Sequence, residues 1–140
     1  MAKFIAERTV KMLINSRKQV HDSRVAILGI TFKENVPDLR NTKVVDIISE
    51  LNTYGVNVVV HDPIANPDEA MAYYGIALQP LENLGQVDAV IVAVIHDTYK
   101  AMGLSRMAGL CYDGCPIVID IKGVFDIEDA QKEHIRYWRL

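Results

Sequence analysis

Residues 29–40, GITFKENVPDLR, place two cationic side chains in a turn between an apolar segment and an amphipathic one. Both types bind phosphate oxygens, Lys33 as a point charge and Arg40 as a planar fork. Dinucleotide folds instead hold a pyrophosphate with three glycines, which let backbone N–H groups approach it closely. This turn has Gly29 alone, which is weak evidence for a cofactor site. The alternative is that Lys33 and Arg40 are solvated surface charges, with Asp38 paired to Arg40.

Two further polar positions follow predicted strands. Asp62, at the end of the second strand, is placed to contact a ribose, as the acidic residue of a dinucleotide fold does. Because it precedes Pro63, it equally suits a turn. Lys122 is a second candidate cation, and Gly123 would permit close approach of a ligand. A simple turn at Lys122 and Gly123 is the competing interpretation.

The remaining candidates favour structural roles. His96 and Asp97 could form an acid–base pair, but Asp97 also suits the N-cap of the helix that follows, and we favour that interpretation. Cys111 and Cys115 lack the neighbouring ligands of a metal site and the base that a nucleophile needs. We therefore interpret both as packing or loop cysteines. The aromatic and cationic tail, residues 131–140, closes the fold, contacts another subunit or frays.

Periodicity predicts the elements that position these residues. Continuous apolar runs predict buried parallel strands, and stripes at helical spacing predict helices between them. Such alternation indicates a parallel sheet covered on both faces, with ligands beyond the carboxyl ends of the strands. The predicted strands are 24–30, 56–61, 87–94 and 116–121, with a further short edge strand at 76–78; the predicted helices are 3–18, 41–54, 67–74 and 97–109. Asn41 or Thr42 is the predicted N-cap of the second helix.

Composition bounds the class of protein. The 140 residues suit one domain, and the two cysteines are too few for a disulfide framework. The net charge of −3 shows no excess of basic residues of the kind that binds nucleic acid. No apolar run is long enough to span a membrane. The N-terminus lacks the apolar core of a signal peptide. These features predict a cytoplasmic protein with neither nucleic acid nor a membrane as partner.

Three motifs together resemble one known family. GITFKENVPDLRNT at 29–42, VHDP at 60–63 and DIKGVF at 120–125 are similar to the C-terminal, UDP-binding domain of UDP-glucose/GDP-mannose dehydrogenases. Within that family, the Glu-Asn and Asn-Thr variants and the YWRL ending most resemble UDP-N-acetylhexosamine 6-dehydrogenases, which serve capsule and other polysaccharide synthesis. The resemblance implies an α/β, Rossmann-like three-layer sandwich with a parallel sheet at 23–140. A connecting helix at 1–22, from a central domain outside this chain, would precede it.

The resemblance also implies roles for single residues. Lys33 would lie near the phosphates and sugar of a UDP-sugar, and Phe32 beside it would be a packing residue that fixes the loop. Lys122 and Gly123 would lie on the same substrate side. UDP-glucose enzymes carry an arginine at that point, and a lysine is not an equivalent replacement for a forked donor. Arg40 would lie towards the cofactor, NAD.

For the full-length protein, the resemblance implies NAD-dependent, two-step oxidation of a UDP-sugar 6-alcohol to the uronic acid. A separate N-terminal domain would hold most of the NAD, a catalytic cysteine would lie upstream, and a central domain would form a homodimer. The chain alone would then be inactive. Two alternatives remain, a stand-alone nucleotide-binding or regulatory module and a small NAD(P) reductase. The missing glycines disfavour the reductase.

Overall fold

A computed structural model describes residues 1–112 and 114–140, which form a five-stranded parallel sheet with helices on both faces. The strands are β1 (Arg24–Leu28), β2 (Asn57–His61), β3 (Ala89–Val92), β4 (Ile117–Asp120) and β5 (Arg136–Arg139). The helices are α1 (Ala2–Asn15), α2 (Val44–Thr53), α3 (Pro67–Tyr74), α4 (Asp97–Ala108) and α5 (Ile127–Lys132), with a 3-10 turn at Leu81–Asn83. The predicted α/β, Rossmann-like fold with an N-terminal helix is confirmed.

The three layers follow from side chains that alternate across buried strands. In β1, Val25 and Ile27 pack with α1, α2 and α3 on one face, while Ala26 and Leu28 pack with α4 and α5 on the other. All four of these side chains have no exposed surface, as expected for a central parallel strand. The apolar runs predicted as strands therefore form the middle of the sheet.

The strand order β2-β1-β3-β4-β5 creates a switch point between β1 and β3. The chain moves outward from β1 to β2 and then returns to the other side of β1, so the loops after β1 and β3 diverge there. Gly29 lies at this point with φ 92, and a Cβ on it would lie 2.6 Å from the Val94 carbonyl oxygen. Close approach of the two loops therefore requires Gly29.

The predicted start of the second helix was three residues early. Asn41 takes a left-handed φ of 63, so the helix cannot include it. The Thr42 hydroxyl accepts the Val44 N–H at 3.2 Å, while Lys43 occupies the N-cap position without a side-chain cap. Neither predicted residue is therefore the N-cap. The predicted edge strand at 76–78 is reduced to a single parallel bridge from Leu78 to β2.

The C-terminal residues form two elements that the periodicity did not predict, α5 and the edge strand β5. Trp138 packs against α1, with its ring 5.8 Å from that of Phe4 and 5.4 Å from the guanidinium carbon of Arg8. Of the three alternatives for the tail, this packing supports closure of the fold. Within the described ranges, no helix is long and apolar enough to cross a bilayer.

Candidate functional site

A cavity of about 380 Å³ opens at the carboxyl edge of the sheet, on the face covered by α1 and α2. The loops after β1, β3 and β4 and the start of α2 all reach it, as the switch-point rule predicts for a ligand site. Its apolar floor includes Ile5, Val44, Ile47, Val94 and Ile121, and its polar lining includes Lys33, Lys43 and Lys122. Three predicted site residues, Phe32, Lys33 and Lys122, thus come together. Lys43 also reaches the cavity and was not predicted.

The lysines give the cavity a positive rim. Lys122 Nζ lies 3.7 Å from Glu34 Oε1, with side chains 48% and 34% exposed, so water screens this pair. Among the described residues, no carboxylate lies within ion-pair distance of Lys33 or Lys43. The ammonium groups of Lys33, Lys43 and Lys122 favour an anionic ligand.

Two hydrogen bonds between neighbouring residues shape the loop that carries Lys33. The Phe32 N–H donates to the Asp38 carbonyl at 2.8 Å, and the Thr31 hydroxyl donates to the Lys33 carbonyl at 3.0 Å. The Phe32 side chain itself is 52% exposed and lines the cavity. The role of the Phe32 side chain in fixing the loop stays a prediction, since in the structure it is the Phe32 backbone N–H that holds the loop.

His96 lies under this loop and is buried, with 1% of its surface exposed. Its Nδ1 accepts the Asn35 N–H at 2.9 Å, and its Nε2 lies 3.0 Å from Asp62 Oδ2 and 3.2 Å from Thr31 Oγ1. Because Nδ1 is an acceptor, the network assigns the ring proton to Nε2, which donates to Asp62. His96 therefore joins the β1 loop to the end of β2.

Asp62 is the centre of this cluster. Its Oδ2 accepts the Ile30 N–H at 2.7 Å, and its Oδ1 accepts the N–H groups of Ile64 and Ala65, both at 2.9 Å. Burial alone would raise the pKa of Asp62, but the hydrogen bonds from His96 and the backbone outweigh it and lower the pKa to about 2. The turn interpretation is correct, and the buried carboxylate is not open to a ribose.

The favoured interpretation of Asp97 as the N-cap of α4 was wrong, and the alternative, an acid–base pair of His96 with Asp97, does not form either. His96 is the N-cap residue of α4, and Asp97 is the first helical residue, with its N–H donating to Asn35 Oδ1 at 3.0 Å. The acidic partner of His96 is Asp62, 34 positions earlier in the chain. The only signal in the sequence was that each residue follows a strand.

A second buried carboxylate, Asp120, shapes the turn that carries Lys122. It accepts the Tyr137 hydroxyl at 2.6 Å and the backbone N–H groups of three consecutive residues, Gly123 at 3.0 Å, Val124 at 2.8 Å and Phe125 at 3.0 Å. Burial and then the bond to Asp120 raise the pKa of Tyr137. The turn thus forms around a carboxylate with no exposed surface.

Gly123 is the left-handed residue of that turn, with φ 65. Arg139 Nη1 lies 3.3 Å from its carbonyl oxygen, and a Cβ on Gly123 would lie 3.6 Å from the Arg139 Cδ. Gly123 is not among the residues that line the cavity with Lys33. The turn explains this glycine without a ligand.

Arg40 lies apart from the three lysines. It borders a separate cavity of about 440 Å³ together with Tyr73 and Glu69. Its Nε is 3.1 Å from Asp38 Oδ1, and its side chain is 78% exposed. The hydrogen bond from Arg40 lowers the pKa of Asp38. The pairing anticipated as the alternative to phosphate binding is therefore present.

Comparison with known proteins identifies the matching family. Residues 26–127 match the model of the UDP-glucose/GDP-mannose dehydrogenase family, UDP binding domain. The chain belongs to that family. Protein CapL of Staphylococcus aureus is 43% identical over 140 residues, which are 100% of this chain and 32% of that protein. UDP-N-acetyl-D-glucosamine 6-dehydrogenase of Pseudomonas aeruginosa is 42% identical over 110 residues, 79% of this chain and 26% of that enzyme.

A solved relative supports the fold. The NDP-N-acetyl-D-galactosaminuronic acid dehydrogenase of Methanosarcina mazei Go1 superposes with a TM-score of 0.86 at 24% identity, over 99% of this chain and 28% of that one. The chain thus spans about a third or less of the relatives it matches. The resemblance to this dehydrogenase family, with its N-acetylhexosamine members among the similar relatives, is confirmed.

The turn after β1 differs from the glycine-rich turn of a dinucleotide-binding fold. Its single glycine, Gly29, lies against Val94, and the Asn35 N–H donates to His96. Backbone N–H groups that would hold a pyrophosphate are already bonded to Asp62.

Both cysteines have the structural roles that the sequence predicted. Cys111 is buried, its thiol lies 3.7 Å from the Ile117 carbonyl, and burial raises the pKa of that thiol. Cys115 is partly buried; burial would raise its pKa, but the neighbouring Ser16 hydroxyl and Arg136 guanidinium lower it. Within the described residues no cluster of His, Cys, Asp or Glu could hold a metal ion.

Proposed function

We propose that this chain is the nucleotide-sugar-binding domain of an NAD-dependent UDP-sugar 6-dehydrogenase. The full-length protein would oxidise a UDP-hexose or UDP-N-acetylhexosamine to the uronic acid in two steps, for capsule or related polysaccharide synthesis in the cytoplasm. The observation that carries the proposal is the convergence of Phe32, Lys33 and Lys122 on one positively rimmed cavity. The family match and the identity to a UDP-N-acetyl-D-glucosamine 6-dehydrogenase support it.

The chemistry of the cavity suits a sugar nucleotide. A diphosphate would accept charge-assisted hydrogen bonds from Lys33 and Lys122, and such a bond is worth roughly 1.5–3 kcal/mol where no other charge competes for the ammonium. The apolar floor and the half-exposed Phe32 ring offer a surface against which a base or sugar ring can pack. Gly123 would contribute through the turn that presents Lys122. The site thus combines charge for the phosphates with apolar area for a ring.

The cofactor would be held elsewhere in the full-length protein. NAD would be bound mainly by another domain, and Arg40, exposed on its separate cavity, is the residue we propose to face it. The catalytic cysteine would also lie outside this chain, because Cys111 is buried and Cys115 precedes β4 at the opposite edge of the sheet. We infer that residues 1–22 connect to a central domain that forms a homodimer, and that residues 23–140 alone catalyse nothing.

A titration tests this proposal. Backbone amide shifts of the chain would be followed by NMR with UDP, and separately with NAD+, for the native chain, Lys33→Ala and the control Lys132→Ala, which alters an exposed lysine at the far end of α5. We expect UDP to shift residues 31–40 and 122–123, with about tenfold weaker binding after Lys33→Ala only. Binding of NAD+ in place of UDP would overturn the proposal.

A further inference from the structure

His96 contacts the loop on both sides of Lys33. Its Nε2 lies 3.2 Å from the hydroxyl of Thr31, two residues before Lys33, and its Nδ1 accepts the N–H of Asn35, two residues after, at 2.9 Å. The Thr31 hydroxyl also donates to the Lys33 carbonyl at 3.0 Å. The buried His96 ring therefore contacts the loop on both sides of Lys33 and can fix the backbone position of this lysine.

Asn35 has an uncommon backbone conformation in this loop. Its φ of 61 lies in the left-handed region, which asparagine tolerates better than most residues other than glycine. The residue is held at both ends, since its N–H donates to His96 and its Oδ1 accepts the Asp97 N–H at 3.0 Å. A non-glycine residue persists in this region when its surroundings over-determine it.

The anchor is itself rigid. Asp62 Oδ2 holds the His96 Nε2–H at 3.0 Å, and both side chains are almost fully buried, with 1% and 0% exposed. Asp62 is in turn bonded to backbone N–H groups after β1 and after β2. The ring nitrogen that faces Asn35 is therefore fixed as an acceptor.

We propose that His96 is a positioning residue that holds Lys33 at the mouth of the cavity for the phosphate of its ligand. The inference rests on the proposed UDP-sugar site. His96 touches no ligand in this arrangement and acts through Asn35 and Thr31. A lysine side chain is long and flexible, so the direction in which it reaches depends on where the backbone of its loop is held.

Two substitutions separate this role from simple stabilisation. In His96→Asn, the amide oxygen occupies nearly the position of Nδ1 and can still accept the Asn35 N–H, but the donor to Asp62 is lost. In His96→Gln, the amide nitrogen lies near the position of Nε2 and keeps the bond to Asp62, but Asn35 loses its acceptor. His96→Asn loses a buried bond to a carboxylate, whereas His96→Gln loses a part-buried bond between neutral groups, so His96→Asn should lose at least as much stability. A loop effect confined to His96→Gln therefore cannot be explained by destabilisation.

The experiment compares these variants in the 140-residue chain by amide hydrogen exchange and by NMR titration with UDP. For His96→Gln we expect the Asn35 amide to exchange at least about tenfold faster, the Lys33 amide signal to shift, and UDP to bind about tenfold more weakly, as with Lys33→Ala. For His96→Asn we expect exchange and affinity within about threefold of the native chain. Tyr99→Phe is the control, because it removes two partly buried hydrogen bonds to His61 and none to residues 31–40.

The outcomes separate the positioning role of His96 from the proposed UDP site. An unchanged Asn35 amide in His96→Gln, or equal effects of the two His96 substitutions on the loop, would overturn the positioning role. If the loop signals separate the two variants as expected but Lys33→Ala leaves UDP binding intact, the anchor stands and the proposed UDP site fails. If Lys33→Ala weakens binding while His96→Gln does not, the UDP site stands and the positioning role fails.

Discussion

Two buried aspartates organise the cavity, and they do so over different distances in the chain. Asp120 bonds the backbone of residues 123–125, immediately after it, and the hydroxyl of Tyr137 on the adjacent strand. Asp62 also bonds the turn that follows it, but it reaches the backbone after β1 and the ring of His96 after β3 as well. One carboxylate builds a local turn, and the other joins three strand ends.

The difference bears on the lysines that the two turns carry. Lys122 lies on a turn that its own neighbours determine, and its ammonium is shared with Glu34. Lys33 lies on a loop whose shape depends on residues far away in the chain, and no carboxylate within the described residues pairs with it. A substitution of Asp120 should therefore disturb only the turn that follows it, whereas a substitution of Asp62 should also disturb the loop that carries Lys33.

The largest effect is expected from Asp62→Ala. This change leaves His96 and several backbone N–H groups buried without an acceptor, so we expect a loss of about 3–5 kcal/mol in the free energy of unfolding. Urea unfolding followed by circular dichroism would measure it. Asp38→Ala, at a carboxylate that is 31% exposed, is the matched control and should cost much less, because water screens its pair with Arg40. Equal losses for the two would contradict the central role of Asp62.

The next largest effect is expected in the free energy of unfolding at acidic pH. The pKa of Asp62 falls from its ordinary value of 3.8 to about 2 in the folded chain, mainly because the hydrogen bonds from His96 and the backbone overcome the cost of burial. A depressed carboxyl pKa stabilises the fold above pH 4, and that stability, roughly 2 kcal/mol, is lost as the pH falls towards 2. The check is urea unfolding of the native chain and Asp62→Asn from pH 7 to pH 2. The gap between them should narrow below pH 4, and a constant gap would disprove the linkage.

The free energy of unfolding at alkaline pH should report on the other buried aspartate, Asp120, through its hydrogen bond with Tyr137. Tyr137→Phe removes the hydroxyl that bonds Asp120, so we expect a loss of about 1–2 kcal/mol near neutral pH. Because burial raises the pKa of Tyr137, its stabilising effect is present below pH 10 and declines as the pH rises beyond it. The difference in unfolding free energy between the native chain and Tyr137→Phe should therefore shrink between pH 9 and pH 11. A gap that widens over this range would refute the assignment.

These two clusters also show what could be predicted from the sequence. The central strands were predictable because continuous apolar runs have few other solutions, and Lys33 and Lys122 were found because each follows a strand within a recognisable motif. β5 was missed because an edge strand with Arg136 and Arg139 at its ends has no buried apolar run. For Asp62 the sequence left a ribose contact and a turn open, and the turn is what the structure has.

The pairing of Asp62 with His96 could not be predicted from the sequence for a different reason. The two residues are 34 positions apart, and only the strand order brings the end of β2 and the loop after β3 towards each other across β1. Local pattern does not encode that order. Asp120 and Tyr137 are likewise joined by the pairing of β4 with β5, an element that was itself not predicted.

The smallest effects separate the two lysines. Lys33→Ala should weaken UDP binding about tenfold, whereas Lys122→Ala should weaken it only about threefold, because Glu34 already neutralises part of the Lys122 charge. Glu34→Gln then becomes informative, since it releases Lys122 and should strengthen UDP binding by about twofold while changing the unfolding free energy by less than about 0.5 kcal/mol. Calorimetric titration of the native chain, the single variants and Glu34→Gln combined with Lys122→Ala would measure the coupling. If Glu34 acts through Lys122, the gain from Glu34→Gln disappears when Lys122 is already alanine. If the gain persists, Glu34 repels the ligand directly, and the two lysines differ for reasons of position alone.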